Sequence, residues 1–375
     1  MNYTVRSQEL VSQYLLGKSF SLKGSSVAIR HTRFKSKADY RSLPNKQQQS
    51  LLFKQKKENK KFLYPVFMPT KAKKLDQAIL LLHGLNERNW NKYLSWAEYL
   101  CEHSGKAVIL FPIANHINRS PEAWSNPRKL SDLLNIRRAE LNNDRTLSFA
   151  NLALSERLTS YPEFFYESGR QSFDDIMQLM RQIKRGKHPL FMKYSQVDIF
   201  AYSIGAFLAQ VLFLANPQHY FSNSRLFMFC GGSVFNAMQG TSKSIMNRLS
   251  FDTLFKYYQS GKWANKQNAD SEDLILSSFY SMLTQENAEN SRLSKFNKML
   301  QQIKGISLKA DKVIPYEGVI KAFGNHNASQ CFELWDFPYP YAHENPFPIN
   351  KNINPKDVDS SFQKVFDTAL EFLVG

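Results

Sequence analysis

The sequence predicts an α/β fold in which a mostly parallel sheet is flanked by helices. Two short apolar runs, residues 78–82 and 107–111, show no alternation of polar and apolar positions. This is typical of strands that helices cover on both faces. Between them, apolar residues repeat at helical spacing from Tyr93 to Cys101, and Gly105 ends the predicted helix. A strand, a helix and a strand in this order form a βαβ unit, so the two strands are expected to be parallel.

The stretch from Val197 to Ala215 changes from an apolar strand pattern to a helical pattern at a single serine, Ser203. The small residues Ala201 and Gly205 flank this serine, as a sharp strand-to-helix turn requires. Such a turn holds the hydroxyl at the edge of the sheet and directs the first amides of the helix at the group that the hydroxyl attacks. Taken alone, the pattern also fits an ordinary strand end where serine caps a helix.

Strands and helices alternate along the rest of the chain. A helix is predicted over residues 173–183, and strands are predicted over residues 226–230, 305–310 and 331–335. An amphipathic helix ends the chain. Residues 62–69 are apolar but contain two prolines, which favours a strand at the edge of the sheet.

Two stretches interrupt this alternation and are predicted to be insertions. Residues 113–170 are mixed and polar, and they are too long for a simple loop. Residues 236–303 contain only helical stripes, so we expect a helical cap that packs over the crevice as a lid. Phe279 and Phe296 are expected to line an acyl pocket beneath it. A self-contained cluster away from the substrate is the alternative.

Positive charge is concentrated near the start of the chain. Residues 1–75 contain 17 Lys/Arg and 3 Asp/Glu, so they carry +14 of the net charge of +17. We divide the chain into a basic N-terminal region, residues 1–60, and an α/β domain that contains both insertions, residues 61–375. The basic region is expected to be a solvated surface, with an anionic surface or partner as the alternative. It matches no nucleic-acid motif, so nucleic acid is not expected as a partner.

The composition indicates a globular protein, with 375 residues of which 43% are hydrophobic. Three cysteines, Cys101, Cys230 and Cys331, lie in or beside apolar segments without a C-x-x-C motif, which predicts buried thiols in a reducing compartment. No spacing of His, Asp or Glu indicates a metal site, and no cofactor is expected. The first residues lack the pattern of a signal peptide, and no apolar run is long enough to span a bilayer. We therefore expect a soluble cytoplasmic protein.

Polar side chains that follow four of the predicted strands are expected to meet. His83 follows one strand, Ser203 another, Asp311 a third and His343 the last. The carboxyl ends of parallel strands open into one crevice. A serine hydroxyl becomes an effective nucleophile when a base accepts its proton, and a buried carboxylate orients that base. Ser203, His343 and Asp311 fit these three roles.

These residues give the chain a resemblance to the α/β-hydrolase superfamily. It rests on the turn Ala201-Tyr-Ser-Ile-Gly205, on His83-Gly84, on Ala310-Asp-Lys-Val-Ile-Pro315, and on His343 in Tyr341-Ala-His-Glu-Asn-Pro. The resemblance covers roughly residues 60–375 apart from the two insertions. The chain departs from the commonest pattern in having alanine rather than glycine at position 201.

The resemblance implies an α/β-hydrolase-like serine hydrolase. Ser203 would be the nucleophile, His343 the base and Asp311 the acid, and the backbone amides of Leu85 and Ile204 would stabilise the oxyanion. Three further residues would support this site. Gly84 and Gly205 would leave room for the backbone, and His83 would have a structural role.

Other histidines and acids compete for these roles. His326 precedes the final strand, which places it at the wrong edge of the sheet, so His343 is preferred as the base. Asp311 is preferred as the acid because its strand ends directly before it, and the rival acids are Glu317, Glu333 and Asp336. The remaining histidines are predicted at the surface or at helix ends: His31, His103, His116, His188 and His219.

The expected function is cleavage of a carboxylic ester, or a related small-molecule acyl compound, through an acyl-enzyme. A peptidase, a thioesterase or an acyltransferase on the same scaffold is the alternative within enzymes. A catalytically silent hydrolase-like protein that binds an anionic partner is the alternative outside them.

Overall fold

The computed structural model describes residues 2–38, 52, 57–261, 263 and 272–375. Parts of the predicted basic region and of the second insertion therefore lie outside the described residues. The strands are β1 (Phe20–Ser21), β2 (Val27–Lys35), β3 (Lys61–Pro69), β4 (Leu75–Leu82), β5 (Ala107–Leu110), β6 (Phe191–Tyr202), β7 (Leu226–Phe229), β8 (Ile303–Leu308) and β9 (Phe332–Trp335).

These strands form one sheet in the order β1-β2-β3-β5-β4-β6-β7-β8-β9. The six strands from β4 to β9 run parallel to one another. The first three strands extend the sheet at one edge in antiparallel pairing. The fold is therefore α/β with a mostly parallel sheet flanked by helices, and the predicted fold class is confirmed.

The described helices lie mainly between the parallel strands along the chain. They are α1 (Tyr3–Gln13), α2 (Lys57–Lys60), α3 (Asn91–Ser104), α4 (Pro127–Glu140), α5 (Leu152–Ser160), α6 (Glu163–Lys184), α7 (Ile204–Ala215), α8 (Arg248–Gln259), α9 (Leu274–Ser281), α10 (Glu289–Asn297), α11 (Tyr316–Phe323), α12 (Asn325–Cys331) and α13 (Pro355–Val374). Among them, none combines the length and the apolar character that crossing a membrane requires.

The central strands are apolar at every position because both faces of the sheet are covered. In β4, Ala78, Leu80 and Leu82 pack into the core that contains the apolar sides of α6 and α7. The intervening Ile79 and Leu81 pack into a second core with α1, α3 and α13. Successive side chains of a strand point to opposite faces, so a strand between two helical layers needs no polar positions.

The start of the chain contributes strands to the sheet, and the position of one of them differs from the prediction. β2 pairs with β3 along nine residues, so the described part of residues 1–60 belongs to the same sheet as the α/β domain. β3 is also internal rather than an edge strand, because β5 pairs with its other side. That second pairing includes only Val66 and Phe67, so Pro65 and Pro69 lie outside its ladder and their missing N–H groups cost it nothing.

The described residues of the two predicted insertions are free of strands up to Ile303, where β8 begins. The first, residues 113–170, supplies α4, α5 and the start of α6. The second, residues 236–303, supplies α8, α9 and α10. Helices α5 and α8 pack against each other, so the two insertions are in contact rather than separate.

A buried ion pair joins the sheet to the last helix. The Nζ of Lys106, just before β5, lies 2.9 Å from Oδ2 of Asp198 in β6 and donates to the carbonyl of Leu373 at 2.6 Å. The second carboxylate oxygen of Asp198 accepts the amide of Arg225 at 3.0 Å. A buried pair of this kind is costly to break, because loss of one partner leaves the other charge without compensation.

We predict that Asp198→Ala lowers the free energy of unfolding by about 3 to 5 kcal/mol, because Lys106 remains buried without its counter-ion. Urea unfolding followed by circular dichroism measures this loss. The exposed Asp252→Ala is the matched control and is expected to stay within about 0.5 kcal/mol of the parent. Adding Lys106→Met to Asp198→Ala should recover part of the loss. Equal stability of the parent and Asp198→Ala would contradict this account.

Candidate active site

Hydrogen bonds join three of the predicted residues at the carboxyl edge of the sheet. Ser203 follows β6, Asp311 lies beyond β8 and His343 lies beyond β9. The Oγ of Ser203 lies 2.7 Å from Nε2 of His343, and Nδ1 of His343 lies 2.7 Å from Oδ2 of Asp311. An ionised carboxylate only accepts, so Nδ1 donates to Asp311 and Nε2 accepts from the serine hydroxyl. All three residues are buried.

The carboxylate of Asp311 is fixed by the turn that follows β8. Its Oδ1 accepts the amides of Val313 and Ile314, both at 2.9 Å, which leaves Oδ2 facing His343. Burial, and then the charge of Asp311, raises the pKa of the Cys230 thiol well above its usual value. That thiol therefore stays protonated and does not compete with Ser203 as a nucleophile.

Ser203 has a backbone conformation that side chains other than glycine seldom adopt, with φ 57° and ψ −125°. Strain of this kind costs about 1 to 3 kcal/mol and persists only where the surroundings enforce it. Gly205 is one part of that enforcement, since a Cβ there would lie 2.5 Å from the carbonyl oxygen of Leu82. Ala201 is fully buried, so the methyl group that departs from the commonest pattern is accommodated.

Tyr202 supports the ring of His343. The two rings stack with centroids 5.6 Å apart and planes 16° apart, and the hydroxyl of Tyr202 donates to the backbone carbonyl of His343. Burial raises the pKa of Tyr202 well above its usual value, so the hydroxyl remains a donor. Tyr202 was not assigned a role from the sequence, although its place beside the serine in the turn is a signal.

The two predicted oxyanion amides border the serine. Leu85 and Ile204 both line a pocket with Ser203, and Ile204 is the first residue of α7. Within the described part of the chain, neither backbone N–H donates a hydrogen bond to protein. Amides at the start of a helix and in a tight turn are suited to hold a developing negative charge. Their role in the reaction stays a prediction.

His83 is buried and connects two loops at the sheet edge. Its Nδ1 lies 2.8 Å from the carbonyl of Gly84, and its Nε2 accepts the amide of Ile113 at 2.9 Å. Burial lowers the pKa of His83 to about 3, so the ring is neutral. A Cβ at Gly84 would lie 3.3 Å from the ring of Tyr202, so glycine eases close packing of this loop on the serine turn.

Apolar space adjoins the serine on one side. An inner pocket of about 420 Å³ is lined by Ser203 together with Phe235, Met246, Phe251 and Leu254. A larger apolar cavity of about 800 Å³ is lined by side chains that include Leu154, Leu158, Phe207, Leu208 and Phe279. Leu85, Phe165 and Ile204 line both spaces, so the inner pocket and the apolar cavity are neighbours.

Polar space adjoins the serine on the other side. The polar cleft, about 760 Å³, is lined by Ser203 and His343 together with Asn86, Glu87, Arg88, Lys92 and Glu344. Within it, Nζ of Lys92 lies 2.5 Å from Glu87, and Glu344 accepts a hydrogen bond from Ser242. The cleft therefore presents both signs of charge beside the serine.

The insertions contribute unequally to these spaces. From the second insertion, Phe251 of α8 lines the inner pocket and Phe279 of α9 lines the apolar cavity. Phe296 of α10 instead stacks on Phe323 at a centroid distance of 4.2 Å and lines neither. The first insertion was not assigned to the pocket by sequence, yet α5 and the start of α6 supply much of its wall.

Asn86 connects the loop of Leu85 to both insertions. Its Nδ2 donates to the carbonyl of Ala150 in the first insertion and to the carbonyl of Ser244 in the second, both at 2.7 Å. Arg88 also donates to the carbonyls of Phe149 and Ala150. No sequence signal marks these contacts, because they join segments that are far apart along the chain.

The rival residues lie elsewhere. His326 is exposed on α12, Glu333 pairs with Lys304 at 3.3 Å, and Asp336 accepts from the hydroxyl of Tyr341 at 2.8 Å. Glu317 is exposed in the first turn of α11.

Two histidines that were predicted at the surface or at helix ends are buried. The Nε2 of His188 lies 2.6 Å from the hydroxyl oxygen of Tyr64, and its Nδ1 accepts a hydrogen bond from the amide of Leu190. His116 lies beside His83, with ring centroids 5.4 Å apart. Burial is the main cause that lowers the pKa of His188 to about 4 and that of His116 to about 3. Among the described residues, no group of three His, Cys, Asp or Glu side chains is arranged to hold a metal ion.

Comparison with protein families assigns residues 1–374 to a family of unknown function, DUF6051. The chain belongs to DUF6051. No curated protein matches it in sequence.

Solved structures similar to this DUF6051 chain include esterases and peptidases. A fungal esterase of Rhizomucor miehei is 12% identical with a TM-score of 0.48, and the match covers 99% of this chain and 92% of that one. A cold-adapted esterase from an Arctic intertidal metagenomic library is 9% identical with a TM-score of 0.43, covering 96% and 100%. The isopeptidase AtxE2 is 10% identical with a TM-score of 0.45, covering 92% of this chain and 40% of that one. Because these TM-scores lie below 0.5, no activity of this chain follows from them.

We predict that the DUF6051 chain loses stability in mild acid because of His83, His116 and His188. Their folded pKa values of about 3 to 4 lie below the ordinary value near 6.5, so the unfolded chain binds more protons between these limits. Stability is therefore full above pH 6.5 and falls as the pH decreases towards 4, by about 1.4 kcal/mol per pH unit for each histidine. Urea unfolding at a series of pH values measures this slope.

The control for this prediction replaces one histidine. His188→Gln keeps a polar side chain beside Tyr64 but cannot take up a proton, so the slope between pH 6 and 4 should decrease by about 1.4 kcal/mol per pH unit. An unchanged slope would show that His188 does not contribute.

Proposed function

We propose that this chain is a serine hydrolase that cleaves a carboxylic ester or a related acyl compound, and that it is a member of the α/β-hydrolase superfamily. The observation that supports this best is the chain of hydrogen bonds from Ser203 through His343 to Asp311, each 2.7 Å long. A nucleophile, a base and an orienting acid in this order are the requirement for activating a serine hydroxyl.

In the proposed reaction, Ser203 attacks the acyl carbon while His343 accepts its proton at Nε2. The negative charge that develops on the carbonyl oxygen is held by the amides of Leu85 and Ile204. His343 then donates the proton to the leaving group, which departs as the tetrahedral intermediate collapses to the acyl-enzyme. Water attacks the acyl-enzyme with His343 again as the base, and the free acid and Ser203 are released. Asp311 keeps the proton on Nδ1 throughout.

The spaces beside Ser203 support an apolar acyl group and a polar leaving group. The inner pocket and the apolar cavity are lined mainly by aliphatic and aromatic side chains, which favours an acyl chain there. The polar cleft borders both Ser203 and His343, so a leaving group with hydroxyl or charged substituents fits that side. Peptide and thioester substrates use the same chemistry, and a substrate panel that compares esters, thioesters and amides of one acyl group decides between them.

We also propose a cytoplasmic location. All three cysteines lie among the described residues and are free, buried thiols. Free thiols without a disulfide are usual in a reducing compartment.

The decisive experiment is labelling with a fluorophosphonate, which reacts with activated serines. We expect one label per chain on Ser203, and we expect Ser203→Ala to abolish labelling with a nearly unchanged melting temperature, since the core contacts remain. The matched control is Ser233→Ala, which removes another buried hydroxyl and should leave labelling intact. Mass spectrometry locates the label. Equal labelling of Ser203→Ala and the parent would show that Ser203 is not the nucleophile.

The same assay separates the residues around the serine. His343→Ala and Asp311→Asn are expected to lower turnover of a p-nitrophenyl ester by about 10⁴-fold, since the proton acceptor is lost or is held in the wrong tautomer. His326→Ala is the matched histidine control, and its exposed side chain should leave turnover nearly unchanged. The opposite ranking of the two histidines would move the site to another edge of the sheet.

We predict that two phenylalanines of the second insertion have different effects on substrate preference. Phe279→Ala should change the preference between short and long acyl chains by about 1 to 3 kcal/mol, because its ring lines the apolar cavity. Phe296→Ala should instead lower stability by about 3 to 5 kcal/mol through loss of its stack on Phe323, without changing that preference. Values of kcat/KM for esters of four to twelve carbons, with melting temperatures, test both. Equal shifts in preference for the two variants would contradict the assignment of Phe279 to the cavity.

A further inference from the structure

The apolar cavity contains a buried positive charge that has no counter-ion in the described part of the chain. Arg157 of α5 lines the cavity and is only 6% exposed. Among the described residues, its guanidinium makes no hydrogen bond and no ion pair. Its guanidinium carbon lies 3.9 Å from the ring centre of Trp124 and 5.2 Å from that of Phe164. Ring faces attract a cation, but they satisfy none of its five N–H donors.

Two other buried arginines among the described residues have a partner at every guanidinium nitrogen. Arg119 lies 2.7 Å from the carboxylate of Asp175 and also binds Asn59 and the carbonyl of Pro112, and Arg292 donates to backbone carbonyls that include those of Ala322, Ser281 and Gln285. Arg170, which lines the same cavity as Arg157, lies 2.6 Å from Asp273. A buried guanidinium is costly without partners, so the exception at Arg157 marks a position where a partner from outside the chain fits.

A second polar atom without a partner borders the same cavity. His116 holds the carbonyl of Ala114 through Nδ1 at 2.9 Å, and its buried Nε2 has no hydrogen-bond partner. Both His116 and Arg157 line the apolar cavity. Because Nδ1 of the neutral ring donates to Ala114, its Nε2 is an acceptor, so the guanidinium of Arg157 is the group that would bind an anion here.

The chemistry of the cavity narrows the class of anion. Apart from a few polar side chains its wall is aliphatic and aromatic, and the cavity shares Leu85, Phe165 and Ile204 as wall residues with the inner pocket beside Ser203. A ligand that fills it needs an apolar chain and one charged end. The planar fork of a guanidinium matches a carboxylate with two parallel hydrogen bonds.

We propose that the substrate's acyl chain ends in a carboxylate and that Arg157 binds this carboxylate in the apolar cavity. The inference rests on the proposed hydrolase function, because it assigns the far end of the acyl group that Ser203 attacks. The substrate class is thus the half-ester of a dicarboxylic acid rather than the ester of a simple fatty acid.

The kinetic test uses pairs of p-nitrophenyl esters with acyl chains of four to twelve carbons, one ending in a methyl group and one in a carboxylate. The parent should prefer the carboxylate-ended ester of at least one length by about 10-fold or more in kcat/KM, and Arg157→Gln should remove this preference. Arg170→Gln is the matched control, since its cation in the same cavity is already paired, and it should keep the preference. No preference in the parent at any length, or an equal preference in Arg157→Gln, would overturn the proposal.

A binding test separates failure of this inference from failure of the hydrolase function. Calorimetry with Ser203→Ala compares the octanoate ion with 1-octanol, which shares the chain but lacks the charge. Octanoate should bind about 10-fold more tightly than 1-octanol, and adding Arg157→Gln should abolish the difference. If no ester is turned over and Ser203 is not labelled, the hydrolase function fails, yet preferential octanoate binding would still support the anion site. If esters are turned over but octanoate and 1-octanol bind equally, the function stands and the anion site is wrong.

Two controls distinguish loss of the anion site from loss of folding: the variant Arg157→Lys and the melting temperature of each variant. Lysine keeps the positive charge but lacks the planar pair of N–H donors of the guanidinium. The preference of Arg157→Lys for the carboxylate-ended ester should therefore lie between those of the parent and Arg157→Gln. Arg157→Gln removes a buried charge without a partner and should melt no lower than the parent when no ligand is present. A lower melting temperature of Arg157→Gln without ligand would contradict the view that Arg157 is unsatisfied in the free protein.

Discussion

The site depends on one strained backbone position, the positive φ of Ser203. The cost of this conformation, about 1 to 3 kcal/mol, is offset by the structure on both sides of the turn. Before it, β6 is paired with β4 and β7, and after it, α7 is buried along nearly its whole length. The amide of Ser203 itself donates to the carbonyl of Phe229 at the end of β7, at 3.3 Å. β6, the turn and α7 together therefore stabilise the backbone conformation of Ser203, which neither β6 nor α7 contains.

A shell of buried aromatic and imidazole side chains then fixes the groups that surround the serine. The hydroxyl of Tyr93 accepts the amide of Gly84 and donates to Glu87, which holds the loop on both sides of Leu85. Trp96 packs edge-on against Tyr202 at a centroid distance of 5.3 Å. Rings of this size bury much area with few rotatable bonds, so they hold the site with little loss of side-chain entropy.

The sequence was informative where a physical period or a strand end constrained it. Unbroken apolar runs indicated strands covered on both faces, and the residues directly after those strands, Ser203 and Asp311, lie at one edge of the sheet because parallel strands end there together. His343 follows the last strand and lies within hydrogen-bond distance of both. These distances agree with the predicted arrangement, while the roles in a reaction remain proposals.

The sequence was uninformative where tertiary contacts alone decide. His116 and His188 are buried in irregular segments, whose environment no periodicity reveals. Nor does the sequence show that Arg157 has no partner among the described residues, since the partner of a buried arginine can be distant along the chain, as Asp175 is 56 residues from Arg119. β3 was assigned to an edge because of its prolines, and only the two-residue ladder to β5 explains why they are tolerated inside the sheet.

The two hydrogen bonds of Asn86 have a consequence for access to the site. One amide group holds both insertions and sits next to Leu85, so the entrance cannot widen on either side without disturbing the loop that presents the Leu85 amide. Because the same side chain limits the entrance and holds the loop, faster substrate entry would be accompanied by a less accurate bound geometry. Loss of the Asn86 hydrogen bonds would admit bulkier molecules. It would also make the Leu85 loop less ordered, and the chemistry at Ser203 depends on the position of that loop.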